Sequence, residues 1–345
     1  MDSLSQAVLG ASFGGAVLGR RFGRGALVGG ALLGTLPDLD VLIDYGDAVA
    51  NFTEHRGFSH SLLVLFPFSL ILAVGLHRWR PAIGLWRWWA FTGLCLMTHP
   101  LLDAFTTYGT QLFWPFGPPV AISSIFIIDP LYTLPLLAGV LYACWRPRRW
   151  PPLVAGLVLS SLYLGWSVLA QQWVSHRVSP LLAEQGLESA PRLVQPMPFS
   201  TLLWRVTVMG EHERLEILTG LLDNGADPGV ERFALTPERT RVLHSLPDGQ
   251  RLLWFTRGFV TIHSQQDRLV ATDIRLGVPG LHPFQFVLAE AAGQRWQPRV
   301  SERLPRPMAN PAVWPLLLDR TLGREPVLCL ASLSPPPGGK TCPST

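Results

Sequence analysis

Residues 37–103 read PDLDVLIDYGDAVANFTEHRGFSHSLLVLFPFSLILAVGLHRWRPAIGLWRWWAFTGLCLMTHPLLD. Two long apolar runs lie in this stretch, Ser61 to Leu76 and Trp88 to Leu102, and acids and histidines gather at their ends. Asp38, Asp40 and Asp44 come first, His55 and His60 flank the entrance to one run, and His99 and Asp103 close the other. Carboxylates and imidazoles are the side chains that divalent metals take from proteins. At the ends of apolar helices they are costly unless they are paired or bind something. The stretch therefore predicts membrane helices that build a metal site at one bilayer face.

Working outward, four more apolar or small-residue segments complete the pattern: Ser3 to Gly19, Gly25 to Ile43, Val120 to Trp145 and Pro151 to Val174. The first is rich in Gly and Ala, which suits close helix packing. Arginines follow it rather than precede it, so it reads as an uncleaved helix and not a signal peptide. Basic clusters fall after the first, third and fifth runs, at Arg20 to Arg24, Arg78 to Arg87 and Arg146 to Arg149. The positive-inside rule places these in the cytoplasm, and Asp2, Gln6, Asp38, Asp40, Asp44, His55, His60, His99, Asp103 and Asp129 then share the outer side.

Composition agrees with a membrane half followed by a soluble half. Hydrophobic residues make up 48% of the 345 and charged ones 15%, with no Lys or Arg between Trp88 and Trp145. A net charge of +4 without a long basic patch argues against nucleic acid as a partner. After a Pro-containing linker at 176–198, short alternating runs predict strands at Leu202–Val208, Leu252–Phe255, Phe259–Ile262, Val270–Ile274, Phe284–Ala289 and Arg295–Val300. Asp223-Asn224-Gly225 and Pro247-Asp248-Gly249 read as turns, and Thr236 to Leu246 as a helix. The expected fold is an α-helical membrane bundle of about six apolar helices over 1–175, then a smaller β-rich extracytoplasmic domain over 199–345 with a flexible tail. Cys329 and Cys342 can pair if that domain is outside.

His99 and Asp103 stand four apart, on one face if the helix survives Pro100. His55 and His60 bracket Arg-Gly-Phe-Ser, Ser59 reads as a helix cap, and Arg56 is a candidate for an anionic group. Asp38 and Asp40 repel each other unless a cation intervenes, so one can ligate while the other orients a histidine. Asp129 sits in an apolar segment and is a further candidate. The expected ligands are His55, His60, His99 and Asp103, with Asp38, Asp40 and Arg56 in catalytic roles and Asp2, Gln6, Asp44 and Asp129 in reserve. With no thiolate among them, Zn²⁺ or Mn²⁺ is the expected ion.

At these residues the sequence resembles the YdjM-like family of membrane-bound metal-dependent hydrolases, whose founding members are LexA-regulated inner-membrane proteins. The matching pieces are Met1-Asp2-Ser3-Leu4-Ser5-Gln6, Pro37-Asp38-Leu39-Asp40, the string from His55 to Ser61, Thr98 to Asp103 with Tyr108-Gly109-Thr110, and Ile128 to Tyr132. Some members carry a histidine near the place of Gln6. The resemblance implies a multi-pass protein of the bacterial inner membrane with metal-dependent hydrolase activity and supplies no substrate; the metal site itself suggests activated water attacking an ester or phosphoester. Membrane lipids are the expected partners and, by location, a source of substrate. A metal- or lipid-binding envelope protein without turnover is the rival reading, and a small transporter a more distant one.

Overall fold

The computed structural model describes residues 1–146, 149–223, 228–293, 295–308, 310–324, 328–333 and Cys342, with 237–239 by backbone alone. The chain divides into two compact units. Met1–Ile43, Glu54–Val168 and Pro198–Ser200 form the first; Asp44–Thr53, Leu169–Met197 and Thr201–Thr345 form the second.

Seven helices come in chain order before the first strand: α1 (Ser3–Phe22), α2 (Arg24–Thr35), α3 (Ala48–Glu54), α4 (Leu62–Trp79), α5 (Leu85–Asp103), α6 (Pro130–Trp145) and α7 (Pro151–Glu184). All six apolar runs contribute a helix. Among the described residues, three segments are long and apolar enough to cross a membrane: Arg24–Leu42, Leu62–Trp79 and Pro151–Glu184. The expected fifth run shortens, because residues 120–129 are not helical. Asp129 caps α6 through the Leu131 and Tyr132 N–H groups, and Pro130 occupies the first helical position, so the helix begins there. The preceding segment folds back instead. Ile122 N–H bonds the Ala104 carbonyl and Ser124 N–H that of Phe105.

Small residues set the distance between α1 and α2. A Cβ added to Gly10 would lie 2.3 Å from the Gly30 carbonyl oxygen, and one on Gly14 would lie 2.4 Å from that of Ala26. The two backbones therefore touch directly, the packing that Gly-rich faces permit. Below them, Leu18, Ala26, Trp88, Phe91 and Cys95 form one buried cluster, and Val8, Leu9, Leu102, Ile125, Tyr132 and Leu136 another.

The second unit contains two four-stranded antiparallel meanders. One runs β1 (Arg192–Pro196), β2 (Leu203–Met209), β3 (Glu213–Gly220), β4 (Gly229–Ala234); α8 (Pro237–Ser245) and α9 (Pro247–Thr256) follow. The other is β5 (Val260–Gln265), β6 (Arg268–Asp273), β7 (Gln285–Ala292), β8 (Arg295–Arg303), and α10 (Val313–Thr321) comes after it. Three expectations change here. Leu252–Phe255 is helical, because Pro247 starts α9 and an apolar run of four cannot by itself distinguish helix from strand. The segment 176–184 continues α7 rather than forming a linker, and 192–196 is already β1. Finally, the stretch Tyr45 to Ser59 between two apolar runs, which its polar residues predict to be a loop, contains α3, whose Phe52 packs its ring against Phe255, Phe284 and Phe286. A piece of the N-terminal half thus completes the β-rich core. Asn224-Gly225 and the Ser334–Gly339 tail lie outside the described residues.

Between β2 and β3, Arg205 and Glu216 form a fully buried bidentate pair at 2.7 and 2.8 Å, and Thr207 donates to the same carboxylate. Cys329 and Cys342 are joined by a disulfide.

Candidate metal centre

Three separate pieces of the first unit bring the site together. The first is α5, which continues through Pro100 to Asp103 and so keeps His99 and Asp103 one turn apart on one face. The second is the 3₁₀ turn Leu36–Leu42 that ends α2, carrying Asp38 and Asp40. The third is the short 3₁₀ turn Phe58–His60. The donor atoms of Asp38, His60, His99 and Asp103 all lie within 4.8 Å of one another.

The pairwise geometry is tighter than that bound. The Nε2 atoms of His60 and His99 are 3.1 Å apart. Asp38 Oδ1 lies 3.5 and 3.3 Å from them, and Asp103 Oδ2 lies 3.4 and 3.5 Å. Ligands 2.0–2.2 Å from a tetrahedral zinc stand roughly 3.3–3.6 Å from each other. Five of the six donor–donor distances are therefore close to what one small divalent cation needs, and the sixth, Asp38 to Asp103, is within 4.8 Å. Asp103 Oδ2 is buried and makes no hydrogen bond among the described residues, but it pairs with the Arg56 Nε at 3.2 Å and faces both imidazoles.

Hydrogen bonds behind the rings fix which nitrogen is available. His99 Nδ1 donates to the Gly34 carbonyl at 2.5 Å. The close α1–α2 packing locates that carbonyl, since a Cβ on Gly34 would lie 2.8 Å from the Gln6 oxygen. For His60 the partner is Ser59, whose own proton goes to Asp40 Oδ2 at 2.6 Å, so Nδ1 donates to Ser59 Oγ at 2.8 Å. Each neutral ring then holds its proton on Nδ1 and turns a bare Nε2 toward the cluster, the arrangement metal-ligating histidines use.

The two acids of the Pro37 turn thus divide the work. Asp38 enters the cluster. Asp40 is buried and accepts from His55 Nδ1 at 2.9 Å, Arg56 N–H at 2.9 Å and Ser59 Oγ. His55, expected as a ligand, stands outside the four donors and is held by Asp40 instead. Ser59 caps no helix, because Ser61 precedes α4. Arg56 takes φ 66°, a left-handed conformation that is uncommon outside glycine, and directs its guanidinium to Asp103 at 3.2 Å and over the Tyr108 ring. Its charge braces a ligand rather than standing open to an anion.

Of the reserve candidates, Gln6 donates to Asp103 Oδ1 at 3.0 Å and to the His99 carbonyl. The Met1 amine also bonds Asp103 Oδ1, a contact that sequence reading did not anticipate. Asp2 caps α1 through Ser5 N–H. Asp129 is a cap whose second oxygen accepts from Tyr163, so its burial is explained without a ligand. Asp44 is solvent-exposed; hydrogen bonds from Gly46 N–H and Asn51 hold its carboxyl below the usual carboxylate range.

Apolar helices, some long enough to cross a membrane, and four converging donors that could bind a metal ion are the features of the class to which the chain is to be compared. The chain belongs to the YdjM inner membrane protein family, whose model matches residues 1–174 and so takes in every residue of the cluster. It is 27% identical over 223 residues to the uncharacterized protein YfhP of Bacillus subtilis strain 168, covering 61% of this chain and 66% of that one. To the inner membrane protein YbcI of Escherichia coli K12 it is 43% identical over 89 residues, covering 26% of this chain and 51% of that one. No solved structure matches it.

Proposed function

We propose that the protein is a metal-dependent hydrolase of the inner membrane, cleaving an ester or phosphoester with its site on the extracytoplasmic side. The observation that carries this reading is the inward set of Asp38, His60, His99 and Asp103, with both imidazole tautomers already fixed. Zn²⁺ or Mn²⁺ suits these nitrogen and oxygen donors. When bound, such an ion supplies Lewis acidity toward a carbonyl or phosphoryl oxygen and makes water a better nucleophile at neutral pH.

The protein's own groups do the rest. Gly34 and the Ser59–Asp40 pair orient the rings, while Arg56 and Gln6 steady Asp103. His60, His99 and Asp103 have fully buried side chains, so bulk water is excluded from three sides. Asp38 leaves the single approach. The bond between Cys329 and Cys342, together with arginines after the first, third and fifth runs, supports an extracytoplasmic second unit. Reporter fusions after α4 and at the C-terminus test that sidedness, and a cytoplasmic signal at the C-terminus would overturn it.

Elemental analysis of the purified protein beside His60→Ala and Asp103→Ala tests the site, with hydrolysis measured on ester and phosphoester panels with and without chelator. The expectation is loss of metal in both variants and of turnover with chelator. Metal retained in the variants refutes the site; metal bound without turnover on any panel refutes the enzyme and leaves a metal-binding protein.

A further inference from the structure

The single exposed member of the cluster shares its turn with side chains suited to lipid. Asp38 is 23% exposed, whereas the side chains of His60, His99 and Asp103 are fully buried. It lies on the 3₁₀ turn Leu36–Leu42, where three residues make one turn and i and i+3 share a face. Pro37 and Asp40 accordingly face inward and are buried. Asp38 shares its face with Val41, which is 70% exposed, and the third face carries Leu39 and Leu42, at 55% and 81%. A mouth opening to water would be expected to carry polar residues at these positions. This one instead belongs to a membrane-length apolar segment, Arg24–Leu42. The other ligand-bearing turn repeats the pattern. Phe58 is exposed beside the Trp114 ring, and Phe113 and Phe116 are exposed nearby in sequence, as aromatic groups are at a bilayer interface.

Resting on the hydrolase reading, we infer that the cluster is approached sideways from the bilayer and takes a glycerophospholipid-like amphiphile, whose polar ester region meets Asp38 while its chains lie against Leu39, Val41 and Leu42. Water adds across the scissile bond, its hydroxyl going to the carbonyl or phosphoryl centre and its proton to the leaving alcohol. Burying each apolar side chain against an acyl chain rather than water favours the long-chain substrate. A short-chain substrate with the same headgroup lacks that contribution.

Two arms test this on the full chain in nanodiscs. In the first, Val41→Cys in a Cys144→Ser background, with Cys95 buried, carries an environment-sensitive fluorophore and the protein is left without metal. Quenching by doxyl-labelled lipid and protection from iodide are expected; quenching by iodide alone overturns the proposal. In the second, metal-loaded protein is given dipalmitoyl and dibutyryl forms of phosphatidylglycerol and phosphatidylethanolamine. The long-chain forms should show a kcat/KM at least tenfold higher, and Leu42→Ser should shrink that ratio through KM. Equal values for the two chain lengths overturn the proposal. If neither lipid class is cleaved while the ester or phosphoester panels are, the phospholipid substrate is overturned and the hydrolase reading stands; if nothing on any panel is cleaved, the hydrolase reading falls and takes the substrate with it.

Discussion

Asp40→Ala separates the ligand from the residue that orients it. The substitution removes an acceptor serving three donors, His55 Nδ1, Arg56 N–H and Ser59 Oγ. A buried donor left without a partner costs about 1–3 kcal/mol. His55 is 24% exposed and can find water, and Ser59 has His60 Nδ1 as a second partner, so most of the cost falls on the buried Arg56 N–H, about 1–3 kcal/mol. Ser59 is then free to turn its proton toward His60 Nδ1, which would put the imidazole's hydrogen on Nε2, where an ion must bind. Removal of a second partner of this kind lowers metal affinity by about 10–100-fold. The predicted outcome is a metal site that remains but is weaker by that factor in Asp40→Ala, against loss of tight binding in Asp38→Ala. Competition with a chromophoric chelator measures the affinities, and thermal melting of metal-free protein measures the structural cost. Wild-type affinity in Asp40→Ala, or a milder loss in Asp38→Ala than in Asp40→Ala, would refute the division of roles.

Three further outcomes follow from the packing and the buried charges. Gly30→Val places side-chain atoms where even a Cβ would be 2.2 Å from the Gly10 carbonyl oxygen, so it should destabilise by about 1–3 kcal/mol and weaken metal binding through Gly34, with Gly19→Ala, in open space, as the silent control. His282 in the second unit is held down to about 4 from an ordinary 6.5, by burial first and the Arg205 charge second. Below pH 6.5 the unfolded chain takes up a proton that the folded imidazole refuses. The resulting stability is complete above 6.5 and declines as pH falls toward 4, by about 3 kcal/mol; acid unfolding of wild type against His282→Gln should show the difference in slope. Glu216→Gln weakens the partner of two buried arginines, Arg205 and Arg214, and should cost about 3–5 kcal/mol, while Arg205→Met with Glu216→Leu recovers only part of it in urea titrations because Arg214 still loses its carboxylate.

Much of the site was legible because its ligands fall where apolar runs end, and run ends are visible in sequence. The i, i+4 spacing places His99 with Asp103, and the repulsion of neighbouring carboxylates predicts that Asp38 and Asp40 part; the structure sets Asp38 among the four donors and Asp40 among hydrogen-bond donors behind them. What spacing could not supply was which ring nitrogens the 3₁₀ turns aim inward, so His55 was taken for a ligand when its partner is Asp40. The Gly34 carbonyl and the Met1 amine carry no side-chain signal at all. Asp129 did carry one, since Asp followed by Pro is a helix start, but its apolar surroundings drew attention to its charge instead. In the second unit, alternation marked five of the strands, while α3 was hidden because its buried residues are few and lie far in sequence from the core they complete.

The histidine pair bears most directly on whether the cluster holds an ion. With both Nδ1 protons committed, two lone pairs face each other at 3.1 Å. A proton shared between the rings removes that clash and sets one positive charge 3.3–3.5 Å from both Asp38 and Asp103, which offsets part of the repulsion between two carboxylates less than 5 Å apart, roughly 3–4 kcal/mol at an effective dielectric of 20. Arg56 and the Met1 amine offset part of that repulsion, but both reach Asp103 and neither is bonded to Asp38. A divalent cation would meet all four atoms at once and supply two charges where a shared proton supplies one. Desolvating such a constellation at the end of apolar helices is expensive, and breaking any one partner leaves the others uncompensated. Metal-free protein should therefore be the less stable form, and the rise in melting temperature on adding Zn²⁺ or Mn²⁺ should vanish in Asp38→Ala while the second unit melts unchanged.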